Sequence, residues 1–501
     1  MNVMAEIKKI LVANRGEIAL RIMRSAKEMG MATVAVYSEA DRNALHVRFA
    51  DEAVCLGPPL SAESYLLGDK IIEVCKNLNV DAIHPGYGFL SENAGFAKSV
   101  TDAGIIFIGP SPASIEVMGD KLAAKNAVLK HDIPMVPGIN EAVEDPKKAL
   151  EIAKEIGFPV LIKASAGGGG KGMRVVENEE ELEEQMERAI SEAISAFGNG
   201  AVFVEKYITS PRHIEVQILA DQHGKILHLF ERDCSIQRRH QKVIEEAPSS
   251  IFDEARRQAI GETAIRVAKA CDYYGAGTVE FIVDENLDFF FLEMNTRLQV
   301  EHCVTEEITG IDIVKEQIKV ARGEALSFKQ SDLKIHGHAL EIRVYAEDPT
   351  NNFLPDIGNL KTYSRPQGAG VRLDDGFEEG MDIPIYYDPM IGKLVTKGHD
   401  RQDAINRMTR AIDEFTITGI QTTLPFCKFA INHDAFTSGN FDTKFVDKYF
   451  TPDVLKSENS EEEEALAAAL AVSFGMEQKT SASENQTAKK TSNWKKRAMT
   501  N

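Results

Sequence analysis

Thr278-Val279-Glu280-Phe281-Ile282-Val283-Asp284-Glu285-Asn286-Leu287-Asp288-Phe289-Phe290-Phe291-Leu292-Glu293-Met294-Asn295 holds two runs rich in β-branched and aromatic residues around a polar turn. That pattern predicts a β-hairpin. If pairing is symmetric about the midpoint between Asn286 and Leu287, Glu280 faces Glu293, and two strand interiors set carboxylates side by side. Like charges directly opposite repel, so such a pair needs a cation. Period-two alternation puts Glu293, Asn295 and Arg297 on one face, continued by Gln299 and Glu301 if the chain stays extended. Oxygen ligands from Glu280, Glu293 and Asn295 suit Mg²⁺, or Mn²⁺, bridging nucleotide phosphates. The bland alternative is a solvated polar sheet face; the bulky apolar residues on the alternate positions argue for a packed sheet instead.

Upstream, Phe158-Pro159-Val160-Leu161-Ile162-Lys163 is an apolar strand ending in a lysine, followed after three residues by Gly167-Gly168-Gly169-Gly170-Lys171-Gly172. Consecutive glycines let backbone N–H groups converge on phosphate oxygens. A Walker A loop is excluded, because Ser165 stands where its first glycine belongs and Gly172 where its Ser or Thr belongs. The next residues, Met173-Arg174-Val175-Val176, read as a second strand, so the glycines form the tip of a hairpin flap. A kinase flap has its lysine after the glycines, and neither His-Arg-Asp nor Asp-Phe-Gly occurs here.

Glu231-Arg232-Asp233-Cys234-Ser235-Ile236-Gln237-Arg238-Arg239-His240-Gln241-Lys242 reads as a mixed-charge loop after the strand 225–230; beside a phosphate site it becomes a candidate anion cradle. His213 opens the strand 212–219. In Ala339-Leu340-Glu341-Ile342-Arg343-Val344-Tyr345, alternation puts Glu341 and Arg343 on one face, most simply as an ion pair. At the N-terminus, short apolar strands at 10–13, 33–37, 80–84 and 105–108 alternate with helical stretches, giving a doubly wound α/β domain. Its first turn, Asn14-Arg15-Gly16-Glu17, has one glycine where a dinucleotide fingerprint needs three, so NAD is discounted.

The whole chain has 501 residues, enough for about three domains, and a net charge of −20, which argues against a surface built to grip nucleic acid or an anionic membrane. Its six cysteines form no Cys-x-x-Cys pair, fitting free thiols in a reducing cytoplasm. The start of the chain lacks a signal-peptide layout, and no apolar run reaches the ~18 residues that span a bilayer. Beyond Thr451 a Glu461–Glu464 charge run, a short apolar stretch and a lysine-rich end suggest a mobile tail holding the only tryptophan, Trp494.

Taken together, the chain resembles the biotin carboxylase family, whose catalytic core is an ATP-grasp fold. The segments that carry the resemblance, in order, are Val12-Ala13-Asn14-Arg15-Gly16-Glu17-Ile18-Ala19, His84-Pro85-Gly86-Tyr87-Gly88-Phe89-Leu90-Ser91-Glu92-Asn93, 163–173, 231–246, 293–301 and 343–349, over residues 6 to about 447. One departure is Cys303, where the family usually has proline, a change that bears on loop stiffness. The resemblance implies mixed α/β and α+β architecture: an N-terminal doubly wound domain (1–115), a central ATP-grasp domain (116–335) with a glycine-rich lid at about 136–205, a β-rich C-terminal domain (336–447) and a flexible tail (448–501).

It also implies roles. Lys121, Lys163, Gly167, Gly168, Gly169 and Gly170 would hold ATP at its phosphates, with Met173 a further ATP-binding residue, Glu205, Lys206 and Ile208 near the adenine and His213, Gln237 and His240 lining the nucleotide site. Glu280 and Glu293, with Asn295, would hold Mg²⁺ or Mn²⁺, in agreement with the hairpin. Lys242, Arg297, Gln299 and Val300 would bind bicarbonate, Glu301 would deprotonate it, and Arg343 would stabilise the biotin enolate. The chemistry would run through carboxyphosphate. No Met-Lys-Met biotin acceptor is present, so biotin is expected on a separate carrier protein, with a carboxyltransferase as a further partner and a homodimer as the assembly. Two other readings stand beside this one. A carbamoyl-phosphate or purine-pathway ATP-grasp ligase would share the hairpin, although a synthetase would carry a duplicated unit and the tetraglycine loop occurs once; a non-enzymatic nucleotide-binding regulator would have no need of Glu301 or Arg343.

Overall fold

The apolar run near the N-terminus becomes the strand Lys9–Val12, whose Ile10, Leu11 and Val12 are fully buried, as a central parallel strand requires. It is the middle of a five-stranded sheet in the order Glu52–Gly57, Ala32–Ser38, Lys9–Val12, Ala82–His84, Ile106–Phe107, with every neighbour parallel. The helices Gly16–Glu28, Gly68–Leu78 and Ala94–Asp102 lie between its strands in sequence, giving the doubly wound arrangement. At its first turn Gly16 has φ +65°, and Gly376 packs so close that a Cβ there would lie 2.8 Å from the Glu17 amide nitrogen.

This computed structural model describes residues 6–138, 143, 145–164, 173–197, 200–239, 241–455, 469, 470 and 472. Residues up to Phe450 form one compact unit and Thr451–Asn501 a second. Gly167, Gly168, Gly169, Gly170, His240, the side chain of Lys121 and most of the 448–501 stretch, Trp494 included, lie outside the described residues. Among the described residues, no helix is long and apolar enough to cross a membrane. All six cysteines are free thiols.

The two strands expected on either side of the glycines pair with each other, and the glycines themselves lie outside the described residues. Val160–Ala164 pairs antiparallel with Met173–Val176, Lys163 opposite Met173, and on its other side with Val202–Lys206. Helices Pro146–Ile156 and Leu182–Phe197 cover this small sheet, packing Ala149, Ala153, Met186 and Ala189 onto Val160, Ile162 and Val204.

The larger sheet has eight antiparallel strands in the order Phe289–Asn295, Gly275–Val283, Arg212–Ala220, Ile226–Arg238, Gln241–Ala247, His338–Tyr345, Met390–Gly398, Val371–Asp375. Residues on both sides of position 336 therefore share one hydrogen-bonded ladder. The hairpin register comes out as predicted where it matters: Glu280 is opposite Glu293 and Thr278 opposite Asn295, while a bulge between Glu280 and Phe281 shifts the rest by one. The 231–242 stretch corrects the loop expectation. Most of it is strand, Ile226–Arg238 and Gln241–Ala247, and Arg232 is fully buried. Its charges are tolerated inside because neighbouring strands supply countercharges, which a single-segment reading cannot see.

Cys303 also differs from its expected setting. It is not in a loop but in the first turn of the helix His302–Thr309, buried, with Sγ donating to Asp374 Oδ2 at 3.3 Å. Proline is tolerated in a first helical turn. Cys303→Pro is therefore expected to change unfolding free energy by less than about 1 kcal/mol, checked by urea titration.

Candidate functional site

The site is built on a row of charge across four strands. Arg232 is opposite Glu215, Glu215 opposite Glu280, and Glu280 opposite Glu293, each on a successive strand of the large sheet. Lys242, from the strand Gln241–Ala247, reaches over the row and donates to Glu215 Oε2 at 2.5 Å, Glu280 Oε1 at 2.8 Å and Glu301 Oε1 at 2.7 Å. Burial would strip its proton, but the three carboxylates outweigh burial and hold the ammonium well above its usual range.

Glu280 is 5% exposed, and three donors converge on one of its carboxylate oxygens. Besides Lys242, Asn295 Nδ2 donates to Oε1 at 2.9 Å and Gln299 Nε2 at 2.8 Å, while His213 Nε2 sits 2.8 Å from Oε2, outside hydrogen-bonding geometry. Burial pushes the carboxyl up; Lys242 and His213 more than offset it, and Glu280 stays ionised well below the usual carboxylate range. Glu293 is exposed at the end of the row. The donor set of Glu280, Glu293 and the Asn295 amide is all oxygen, from two facing strands, which fits a hard divalent cation and not a soft one.

Glu301 immediately precedes the helix His302–Thr309 and carries a different cation on each oxygen: Lys242 on Oε1 and Arg343 Nη2 on Oε2 at 3.0 Å. Burial raises this carboxyl, and Lys242, Arg343 and Arg232 together drive it well below the usual range. Arg343 also donates through Nε to Glu245 Oε1 at 2.7 Å. The expected Glu341–Arg343 ion pair is absent. Both oxygens of Glu341 lack a hydrogen-bond partner, because Glu245 and Glu301, arriving from other elements, take the guanidinium.

Arg297 donates to Glu92 Oε2 at 2.8 Å and to Asn295 Oδ1 at 3.0 Å, so the side chains of 295 and 297 meet, although the strand ends at Asn295 and the chain does not stay extended beyond it. Gln299 joins it from the loop, its Oε1 accepting from Arg232 at 3.2 Å. The Val300 carbonyl accepts from Lys393 at 2.9 Å. On the small sheet, Lys163 donates to Glu205 Oε2 at 2.6 Å and Lys125 donates to Oε1. Burial raises the Glu205 carboxyl, but these two lysines lower it further. Lys206 donates to the Gly157 and Phe158 carbonyls, Gln237 to the Cys234 carbonyl, Met173 is exposed and Ile208 half-buried.

Sequence reasoning assigned no part in this site to Glu215, Glu245, Glu92 and Lys125, and met Arg232 only within the mixed-charge stretch 231–242. Glu215 left a signal of its own: in His213-Ile214-Glu215-Val216-Gln217-Ile218 polar residues occupy every second position of an otherwise apolar strand.

Sequence-family models match three consecutive stretches: the biotin carboxylase N-terminal domain over 6–115, the carbamoyl-phosphate synthase L chain ATP-binding domain over 120–329, and the biotin carboxylase C-terminal domain over 341–448. The chain is 52% identical over 444 residues to biotin carboxylase 1 of Bacillus subtilis, covering 88% of this chain and 99% of that one. Among solved structures it resembles a biotin carboxylase–ATP complex from Campylobacter jejuni, with a TM-score of 0.85, 50% identity and 90% and 100% coverage. It also resembles the biotin carboxylase domain dimer of Hydrogenobacter thermophilus 2-oxoglutarate carboxylase, in complex with MgADP, ADP and bicarbonate, with a TM-score of 0.84, 45% identity and 90% and 99% coverage.

Proposed function

We propose that this chain, which belongs to the biotin carboxylase family, catalyses the MgATP-dependent carboxylation by bicarbonate of biotin presented on a separate carrier protein. One observation carries the reading: a buried carboxylate, Glu301, held between Lys242 and Arg343 beside the Glu280–Glu293 pair. As it stands Glu301 is ionised and a poor base, because both cations stabilise its charge. Bicarbonate bound by Lys242, Arg297, Gln299 and the Val300 backbone draws Lys242 towards itself. Glu301 then becomes more basic at the moment a proton must leave bicarbonate.

The deprotonated bicarbonate attacks the γ-phosphorus of ATP; the new O–P bond forms as the bond to ADP breaks, giving carboxyphosphate. Lys163, now resting on Glu205, would share the phosphates with Lys121 and the Gly167–Gly170 flap, and Met173 would be a further contact to ATP. Glu205, Lys206 and Ile208 would meet the adenine, with His213, Gln237 and His240 lining the nucleotide site. Glu280, Glu293 and Asn295 would hold Mg²⁺ or Mn²⁺, which when bound neutralises charge on the phosphoryl oxygens. Carboxyphosphate splits at its C–O bond into CO2 and phosphate; the phosphate takes the proton from biotin N1, Arg343 faces the negative charge that develops, and N1 then forms its bond to the carbon of CO2, giving carboxybiotin. A flap closed over the site would keep water from the labile intermediate.

The domain limits 1–115, 116–335 and 336–447, a flexible 448–501 tail, a cytoplasmic location, a homodimer and a carboxyltransferase partner that selects pyruvate or an acyl-CoA complete the reading. In solution, ADP formation from MgATP is expected only when bicarbonate is present, and faster with free biotin, measured by a coupled ADP assay. ADP release at the same rate without bicarbonate would favour a nucleotide-binding or other ATPase role and sink the proposal.

A further inference from the structure

On the sheet face that supports Arg343, two carboxyls lie side by side with too few cations. Glu245 and Glu341 are directly opposite each other on the strands Gln241–Ala247 and His338–Tyr345, and each is 0% exposed. Directly opposed side chains on neighbouring strands come within about 5 Å at Cβ. Glu245 uses one oxygen to hold Arg343 Nε, and its Oε2 has no partner; neither oxygen of Glu341 has one. The charged and titratable groups facing them are few: the acid Glu301 lies nearby, and Lys242, on the same strand as Glu245, acts on it through space while donating to Glu215, Glu280 and Glu301. Arg343 is shared with Glu301, Lys393 donates to the Val300 carbonyl and sits 3.4 Å from Glu17, and the Cys303 thiol donates to Asp374.

Two buried carboxylates that close cannot both ionise when no donor reaches the second one. We propose that Glu245 and Glu341 hold a single proton between them, and that Glu341 is a positioning residue whose protonation keeps Arg343 directed at Glu301. The proposal rests on the biotin carboxylase reading of Glu301 and Arg343. With one proton, the pair carries one negative charge, enough to hold the guanidinium through Nε and leave Nη2 for Glu301. With none, a second carboxylate two residues along the same strand face competes with Glu301 for the guanidinium. Titration directions agree: burial and the neighbouring acids raise Glu341 well above the usual carboxylate range, and Glu245 is raised to about 7, chiefly by burial. Rising pH therefore removes the shared proton and turns Arg343 away from the base.

Infrared spectroscopy of the ligand-free protein at neutral pH should show the C=O stretch of a buried protonated carboxyl that Glu341→Gln removes, since glutamine supplies a neutral donor and leaves Glu245 ionised. In turnover with MgATP, bicarbonate and biotin, Glu341→Leu should lower kcat by about tenfold to a hundredfold with KM for ATP unchanged. Glu341→Gln should restore most of that rate and lose the alkaline fall assigned to the pair. An infrared band identical in wild type and Glu341→Gln overturns the shared proton, and equal kcat and pH profiles for the Leu and Gln variants overturn the positioning role. If the band behaves as expected while the wild-type protein turns over no biotin, the pair stands and the biotin carboxylase reading falls, so the two failures are distinct.

Discussion

Glu301→Gln is expected to lower bicarbonate-dependent ADP formation by about 10²–10⁴-fold, the range that a positioned general base contributes. Glutamine keeps the shape of the side chain and can still accept one hydrogen bond through its amide oxygen. It cannot take a proton, and its amide N–H₂ must meet either Lys242 or Arg343, donor against donor. The carboxylate is shared by the same two cations that bicarbonate and the developing charge on biotin would use, so the variant also loses the exchange of partners that raises basicity on binding. The measurement is kcat and the bicarbonate KM at saturating MgATP, with circular dichroism to confirm the fold. A kcat within about twofold of wild type would remove Glu301 from the role of base.

The largest expected effect on stability comes from Arg232→Met. The guanidinium is fully buried and makes hydrogen bonds to Glu215 Oε1 at 2.5 Å, Gln217 at 2.7 Å, Thr305 at 3.0 Å, Thr278 at 3.1 Å and Gln299 at 3.2 Å. It thus ties its own strand to the strands Arg212–Ala220 and Gly275–Val283 and to the helix behind Glu301. Methionine fills similar volume but leaves buried Glu215 with Lys242 as its one remaining cation. Removing one partner of a buried ion pair is typically worth about 3–5 kcal/mol of stability. Thermal and urea unfolding should show a loss of that order. The double variant Arg232→Met with Glu215→Met should recover a large part of it, because no uncompensated charge remains. A single variant as stable as wild type would mean that the guanidinium network contributes nothing net.

Symmetric pairing within one segment sufficed to place Glu280 against Glu293, because side-chain direction in a strand is a local property with period two. The same period failed at the far side of the bulge after Glu280, where one inserted residue shifts every later pair. It also misread 231–242: a segment dense in charge looks solvated when read alone, and becomes a buried strand only when Glu215, Gln217 and Thr278 arrive from other strands to satisfy Arg232.

The chain's sequence by itself determined the parallel N-terminal layer, the two hairpins, a set of candidate site residues and the family they resemble. Only the tertiary structure decided which of those residues meet. Lys242 lies on three carboxylates, Arg297 on Glu92 some two hundred positions away, and Arg343 on Glu245 and Glu301 while its neighbour Glu341 is left without a donor. The physical reason is that backbone periodicity fixes the face a side chain occupies, whereas the order of strands in a sheet, and so the sign of the charge it faces, is set by packing between distant segments.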